Sequence, residues 1–276
     1  RVTRDALGRE LRLPARPQRI VSLVPSLTEL LADLGLDEEV VGLTTFCVHP
    51  AGWRDSKVRI GGTKGVRIDA VRALDPDLIV ANKEENTSDD VAALSAIAPV
   101  YVTDIGNIEE ALAAIESLGA LVDREANARA LSAEIRAGFD SLTASRSIRT
   151  AYLIWRDPYM TVGGDTFIHD VMKRGHWENV FANRERYPKV SVDELRDARP
   201  EVVLLSSEPF PFKEIHRAEV QRAIPDAKVL FACGEAFSWY GSRLRETPSV
   251  LADCRSRVLA LAKSAPGVDS IQGELR

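Results

Sequence analysis

Two stretches of this chain are copies of one another. Ile68-Asp69-Ala70-Val71-Arg72-Ala73-Leu74-Asp75-Pro76-Asp77-Leu78-Ile79-Val80 returns as Val192-Asp193-Glu194-Leu195-Arg196-Asp197-Ala198-Arg199-Pro200-Glu201-Val202-Val203-Leu204, at one constant offset that keeps Asp, Arg and Pro identical and apolar positions apolar. Each copy spells an acidic helix start, a short amphipathic helix, a Pro-acid turn and a buried strand. A helix-strand unit that recurs after the length of a small domain predicts two lobes of like architecture, and two lobes enclose a cleft. A second correspondence sets residues 27–35, with Glu38 and Val40, against residues 167–175, with Glu178 and Val180, at a different offset.

The chain of 276 residues, 45% hydrophobic, is long enough for one large or two medium domains with well-filled cores. Its net charge of -5, from 36 basic and 41 acidic residues without long runs, gives no footprint for nucleic acid. No apolar run reaches the ~18 residues of a membrane span. The N-terminal residues lack the basic-then-apolar pattern of a signal peptide. Because the chain starts at Arg1 rather than Met, the compartment stays open. Three cysteines allow two states: Cys233 bridged to Cys254 with Cys47 free, or all three reduced.

The lead around residues 5–8 is placed to form a small hairpin with 11–13, and 19–24 is the first buried strand. Pro25-Ser26 ends it; Ser26 is expected to cap a helix over 27–34, with Glu29 as its capping-box partner and Gly35 as the stop. A strand at 40–43 leads into a loop, 44–64, dense in aromatic and polar groups. The first repeat copy, a helix at 89–97 and a strand at 100–102 complete the first lobe. From 108 to 142 the periodicity is helical, interrupted only by Gly119 and Gly138. A helix over 124–142 would be roughly 28 Å long at 1.5 Å per residue, a stiff spine along both lobes. A strand at 150–154, a helix at 167–174 stopped by Gly175, the second repeat copy, a strand at 228–231 and a helix at 248–263 make the second lobe. The expected fold is α/β: two Rossmann-like lobes with mainly parallel sheets, 1–106 and 147–276, joined through connecting helices at 107–146 that include one long backbone helix. Loops at the strand C-termini should face the cleft.

Those loops carry Phe46, His49, Trp53, Lys64, Lys83, Glu84 and Glu85 in the first lobe, and Trp155, Tyr159, Tyr187, Phe237, Trp239 and Tyr240 in the second. Aromatic faces at loop tips suit a large flat ligand, gripped by stacking and oriented by a few polar groups; the competing reading is that individual rings plug local cores. His49, in Cys47-Val48-His49-Pro50, reads as an orienting donor, as an axial ligand to a metal already inside a chelate, or as a cap of its own loop. No second Cys/His pair stands at ligand spacing, so no protein-held metal is expected. Gly61-Gly62-Thr63-Lys64-Gly65 lacks the phosphate-loop spacing and reads as a tight turn that lifts Lys64 to the cleft edge. Ser26 lies outside any nucleophile elbow and Glu84-Glu85 has no evident partner base, so nothing demands an enzyme. Asp69 and Asp193 read as first-turn acids that satisfy free backbone N–H groups, or as two acidic knobs for a two-fold symmetric partner.

The run Pro17-Gln18-Arg19-Ile20-Val21-Ser22-Leu23-Val24-Pro25-Ser26-Leu27-Thr28-Glu29-Leu30-Leu31, with Leu74-Asp75-Pro76-Asp77-Leu78-Ile79 and Tyr187-Pro188-Lys189-Val190-Ser191, resembles the vitamin B12-binding protein family. That family belongs to the helical-backbone (class III) periplasmic binding proteins, the substrate-binding proteins of ABC importers for metal chelates. The resemblance runs from Pro17 to about Leu261. It implies two α/β lobes joined by a backbone helix, a corrinoid such as cobalamin, a ferric siderophore or haem in the cleft, and docking to a homodimeric permease. By matched motif position the two docking acids fall on Asp69 and Asp193, and the cleft aromatics near His49, Tyr187 and Trp239. Lys64 stands where B12-binding members carry an aromatic, which would favour an anionic chelate or a peripheral carboxylate or amide.

The leading expectation is therefore a monomeric substrate-binding protein that captures a corrinoid or similar chelate for an ABC importer, in the periplasm or on the outer face of the cell membrane. It has no cofactor of its own. The alternatives are a cytoplasmic chelate sensor or storage protein on the same fold, and a chelate-modifying enzyme using His49 and Glu84.

Overall fold

The computed structural model describes residues 1–144 and 146–263. A hairpin of β1 (Val2–Arg4) and β2 (Glu10–Arg12) precedes the first lobe. Asp5 closes it by accepting the Leu7 and Arg9 backbone N–H groups on Oδ1, at 3.1 and 3.0 Å, and the Arg9 guanidinium on Oδ2. The lobe then alternates through β3 (Ile20–Ser22), α1 (Pro25–Asp33), β4 (Val40–Leu43), α2 (Trp53–Ser56), β5 (Val58–Arg59), α3 (Ile68–Ala73), β6 (Leu78–Asn82), α4 (Ser88–Ser95) and β7 (Val100–Thr103). Its sheet has the order β5-β4-β3-β6-β7, with every pair parallel. Helices cover both faces, so β3, β6 and β7 are buried at every residue, and each is apolar up to one polar residue at its carboxyl end rather than alternating.

The connection is a pair of helices, α5 (Ile108–Leu121) and α6 (Glu125–Asp140). α6 is the long backbone helix expected from the periodicity, and α5 packs back along it. Gly119 and Gly138 do not interrupt these helices. A Cβ on Gly119 would lie 2.2 Å from Ala128 Cβ, and one on Gly138 would lie 3.0 Å from Pro248 Cγ, so both glycines mark close approaches. The pair holds both lobes. At its turn the Arg124 guanidinium reaches Gly35 O at 3.4 Å, while the Ile108 N–H donates to Asp170 Oδ2 at 2.9 Å and Arg174 pairs with Glu109 at 2.8 Å.

The second lobe follows with β8 (Ile148–Leu153), α7 (Phe167–Arg174), β9 (Trp177–Asn179), α8 (Val192–Asp197), β10 (Val202–Ser206), α9 (Glu214–Ala223), β11 (Lys228–Ala232), α10 (Gly234–Ser238), a 3-10 turn at Ser242–Arg245 and α11 (Thr247–Lys263). Its sheet, in the order β11-β10-β8-β9, is again parallel throughout. Alternation along these strands separates two cores. Tyr152, Val202, Leu204 and Leu230 join a cluster continuous with the first lobe and with α5 and α6. Ala151, Leu153, Val203, Leu205 and Val229 pack against Leu195 and Val220 on the other face.

Some local expectations are corrected. α1 begins at Pro25, whose missing N–H costs nothing in the first turn, so Ser26 lies inside the helix and Val24 is the N-cap. Glu29 turns away from the helix start to meet Arg243. The long loop after β4 contains α2 and β5. All three cysteines are free: Cys233 is exposed, Cys254 is buried, and no bridge joins them.

The contact at Gly119 is a direct test of the helix pairing. Gly119→Ala should destabilise the protein by about 1–3 kcal/mol, as overpacking does. Adding Ala128→Gly should recover most of the loss in a denaturant or thermal melt, because it removes the methyl that the new Cβ strikes.

Candidate functional site

In each lobe the chain leaves the sheet centre in opposite directions, from β3 to β4 and β6, and from β8 to β9 and β10. The crevice between such strands, beyond their carboxyl ends, is where α/β sheets bind ligands. In the first lobe this crevice is capped by Lys83-Glu84-Glu85, and buried asparagines hold that turn in place. Asn82 Oδ1 accepts the Glu84 N–H at 2.9 Å, while Asn82 Nδ2 donates to Thr103. Asn86 Oδ1 accepts the Asn82 N–H and Asn86 Nδ2 donates to Thr63 O, both at 2.9 Å. In the second lobe Ser206 Oγ donates to Glu208 O at 2.6 Å and accepts from the Tyr152 hydroxyl at 3.1 Å. Gly234 lets this turn close, because a Cβ there would lie 2.5 Å from Glu208 Cγ.

Glu208 thus reaches the interlobe face beside Trp239. Its Oε1 accepts the Ser238 hydroxyl at 2.9 Å and the Trp239 indole N–H at 2.8 Å. The Trp239 ring meets the edge of His49 at 5.7 Å and an interplanar angle of 73°, and it lies under the Arg243 guanidinium at 5.4 Å. His49 Nε2 is 3.3 Å from Glu235 Oε2. Arg243 links the lobes: it forks onto Glu29 of α1, with Nε donating to Oε2 at 2.9 Å and Nη2 to Oε1, and its Nη1 stands 3.3 Å from Glu235. At the other end of the cleft Arg186 pairs with Glu84, which also accepts the Tyr187 hydroxyl at 3.3 Å. The buried Tyr240 packs edge-on to Phe167 at 5.8 Å. Its hydroxyl lies beside Ser26 in the field of Glu85, Glu84 and Tyr187, without a well-formed hydrogen bond.

Electrostatics follow from this crowding. Burial raises the Glu85 carboxyl above its usual range, opposed by Lys64 and reinforced by Glu84 and Glu208. Burial also raises Glu208, opposed by its bonds from Ser238 and Trp239 and reinforced by Glu235. The Tyr187 hydroxyl is pushed up by burial and by Glu84.

Of the residues proposed from sequence, the structure brings together His49, Lys64, Glu84, Glu85, Tyr187, Trp239 and Tyr240. Phe46, 60% exposed, stands at the rim beside the turn at 61–66, which Gly61 and Val66 close by an antiparallel bridge. Two rings fall elsewhere. Trp53 is buried with its indole N–H donated to Asp37 Oδ1 at 2.7 Å, and Phe237 is wholly buried against Tyr152 at 4.9 Å. Both fill local cores. Trp155 packs edge-on to Phe210, and Tyr159 turns its hydroxyl to Glu219 on α9. Lys64 stands exposed on the turn at 61–66, and its charge opposes the rise that burial imposes on Glu85. Cys47 is buried with its Sγ 3.0 Å from Thr28 Oγ1 and 3.1 Å from Thr44 Oγ1, and burial pushes its thiol up. Asp69 and Asp193 sit in the first turns of α3 and α8, each paired with the Arg three residues on, at 2.5 and 2.9 Å. Their side chains are 96% and 86% exposed.

Glu29, Arg186, Glu208, Glu235 and Arg243 were not anticipated. A signal for one of them was present: Glu208 follows Glu84 at the same offset by which Asp193 follows Asp69, so the repeat extends to the acids at the strand ends.

The chain belongs to the periplasmic binding protein family, whose model matches residues 20–226. It is 26% identical over 195 residues to the vitamin B12-binding protein of Vibrio parahaemolyticus, covering 68% of this chain and 70% of that one. Among solved structures it is similar to the periplasmic heme-binding protein RhuT of Roseiflexus, with a TM-score of 0.76 at 17% identity over 89% of this chain and 99% of that one. It is also similar to the catecholate-siderophore binding protein VctP of Vibrio cholerae, with a TM-score of 0.77 at 18% identity over 93% and 99%. At these identities the structural likeness is one of fold.

Glu85 and Glu208 should cost stability when ionised. Their pKa values are raised on folding, so the cost is absent below the ordinary carboxylate range and appears as pH rises through the raised values. Glu85→Gln and Glu208→Gln should each raise the melting temperature at pH 7, with the gain shrinking towards nothing near pH 4. In the second variant the carboxamide oxygen can still accept from Ser238 and Trp239.

Proposed function

We propose that this protein is the substrate-binding component of an ABC importer and carries a corrinoid or another metal chelate between its lobes to a homodimeric permease. The observation that carries the reading is the meeting of His49 and Glu85 of the first lobe with Tyr187, Trp239 and Tyr240 of the second in one cleft, in a chain related to vitamin B12-binding proteins. A flat or partly apolar chelate uses such a site fully: rings take its faces while fixed polar groups set its orientation. His49 is placed to orient the ligand or to meet its metal from the axial side. The role is carriage, in keeping with a family of binding proteins.

Asp69 and Asp193 are assigned to docking. Each crowns the first turn of a repeat-equivalent helix, well exposed, on one of two lobes of like fold. Two such acids suit matching basic sockets on a two-fold partner. The protein is placed in the periplasm or on the outer face of the cell membrane, where such a partner would receive it, and acts as a monomer.

Titration with cobalamin, haem and a ferric siderophore, read by tryptophan fluorescence, should give saturable quenching with at least one of them; no response to any would sink the ligand class. Trp239→Ala should weaken the bound chelate by about tenfold, or ~1.4 kcal/mol. For docking, Asp69→Lys with Asp193→Lys should impair uptake while ligand affinity stays unchanged, with a loss of stability of about 1 kcal/mol or less at each helix start. Lost affinity in that variant would remove the two acids from the docking role.

A further inference from the structure

The repeat runs on past its strands, into the turns that face the cleft. β6 and β10 end on the repeat-equivalent Asn82 and Ser206, both buried. Each holds the N–H of the glutamate two residues on: Asn82 Oδ1 accepts from Glu84 at 2.9 Å, and Ser206 Oγ from Glu208 at 3.4 Å. Side-chain turns of this kind set the direction of the chain as it leaves the strand. Each glutamate then accepts from the polar atom of a second-lobe ring. Glu208 Oε1 takes the Trp239 indole N–H at 2.8 Å, and Glu84 Oε2 takes the Tyr187 hydroxyl at 3.3 Å. A guanidinium lies over each ring as well, with Arg243 5.4 Å from the Trp239 centroid and Arg186 5.5 Å from that of Tyr187. The same mount, a carboxylate on the polar atom and a guanidinium over the face, thus occurs at both ends of the cleft.

Such a mount decides where a ring points. Attraction between flat groups depends on their offset and angle, so a stacking side chain is effective only when its plane is held. Around Trp239, Arg243 is fixed to Glu29 and covers the ring as a whole, while His49 belongs to the other lobe. The bond to Glu208 is different in kind, because indole has a single donor and a hydrogen bond to it fixes one atom of the ring. An ionised acceptor makes that bond stronger than a neutral one would. Glu208 is itself held: the Ser238 hydroxyl donates to Oε1 at 2.9 Å, and Gly234 lets the turn close.

Resting on the reading of this cleft as a chelate site, we propose that Glu208 and Glu84 are positioning residues, placed by the repeat at equivalent strand ends to hold Trp239 and Tyr187 at the angle from which they stack on the chelate. Their contribution to binding passes through the rings. Glu208 has the shorter bond and the larger effect, whereas Glu84 is shared between Tyr187 and Arg186.

A double-mutant cycle isolates that route, with cyanocobalamin, hemin and ferric enterobactin as probes. Trp239→Phe keeps an aromatic face and removes the donor. Glu208→Met, of similar length but without an acceptor, should weaken the bound probe by about tenfold in the Trp239 chain and by less than about twofold in the Trp239→Phe chain. Glu208→Gln, whose carboxamide oxygen still accepts, should restore most of the affinity. Glu84→Met should depend in the same way on the Tyr187 hydroxyl, tested with Tyr187→Phe, at about threefold. The ligand-free chain gives a second readout. The indole N–H resonance of Trp239, identified by its loss in Trp239→Phe, should stay near its place in Glu208→Gln and move upfield in Glu208→Met. An unmoved resonance in Glu208→Met, equal losses of affinity with and without the ring donor, or no loss at all, overturn the positioning role and leave chelate capture standing. If the unmodified chain binds none of the three probes, the chelate reading falls and this role with it.

Discussion

The interlobe face is organised around one guanidinium. Arg243 is largely buried and cannot shed its proton, so it must be paired where it lies. Glu29 takes it by two bonds, Glu235 approaches from the side, and the Trp239 ring covers it. Burial raises Glu29 while Arg243 holds it back, so each group makes the other tolerable. Because Glu29 belongs to α1 and Arg243 to the 3-10 turn after α10, this pairing sets the lobes at one mutual position. Gly241, at φ 107°, brings the chain so near α1 that a Cβ would lie 3.0 Å from Ser26 O. Only there can His49 of one lobe reach Trp239 and Glu235 of the other.

The repeat made the architecture legible. An acidic helix start, a Pro turn and an apolar strand are local features, and their recurrence carried the two lobes, the parallel sheets and the matching positions of Asp69 and Asp193. Helix starts were less legible, since Ser26 is a good cap by residue type and lost to Pro25, which preferred the first turn. The rings divided along a line that only packing draws. Trp53 and Phe237 resemble Trp239 in sequence context, but Asp37 and Tyr152 hold the first two in cores. The ion pairs were the least legible, because Glu29 and Arg243 lie far apart in the chain and nothing local marks one for the other.

Fold and cargo separate cleanly in such a protein. Structures of the same fold carry names that refer to heme and to a catecholate siderophore, so the sheets and the connecting helices set no ligand by themselves. This cleft is dense in titratable groups, and fixed hydrogen bonds support them. Asn82 Oδ1 accepts from the backbone of the turn that bears Glu84 and Glu85, and Asn86 ties that turn to Asn82 N and to Thr63 O. Such supports fix direction, which a stacking surface alone does not.

The apolar cluster that runs from the first sheet through α5 and α6 into the second lobe bears on how the protein moves. A bilobed carrier built on a slender linker can swing open as two rigid bodies, with a few backbone torsions absorbing the change. Here a swing would have to shear a continuous packed interior, and close-packed interiors resist gradual deformation. Access to the cleft is then a matter of side chains and turns at its edges, chiefly Arg186 and Tyr187 over Glu84. Loading and unloading would resemble the turning of a latch more than the opening of jaws.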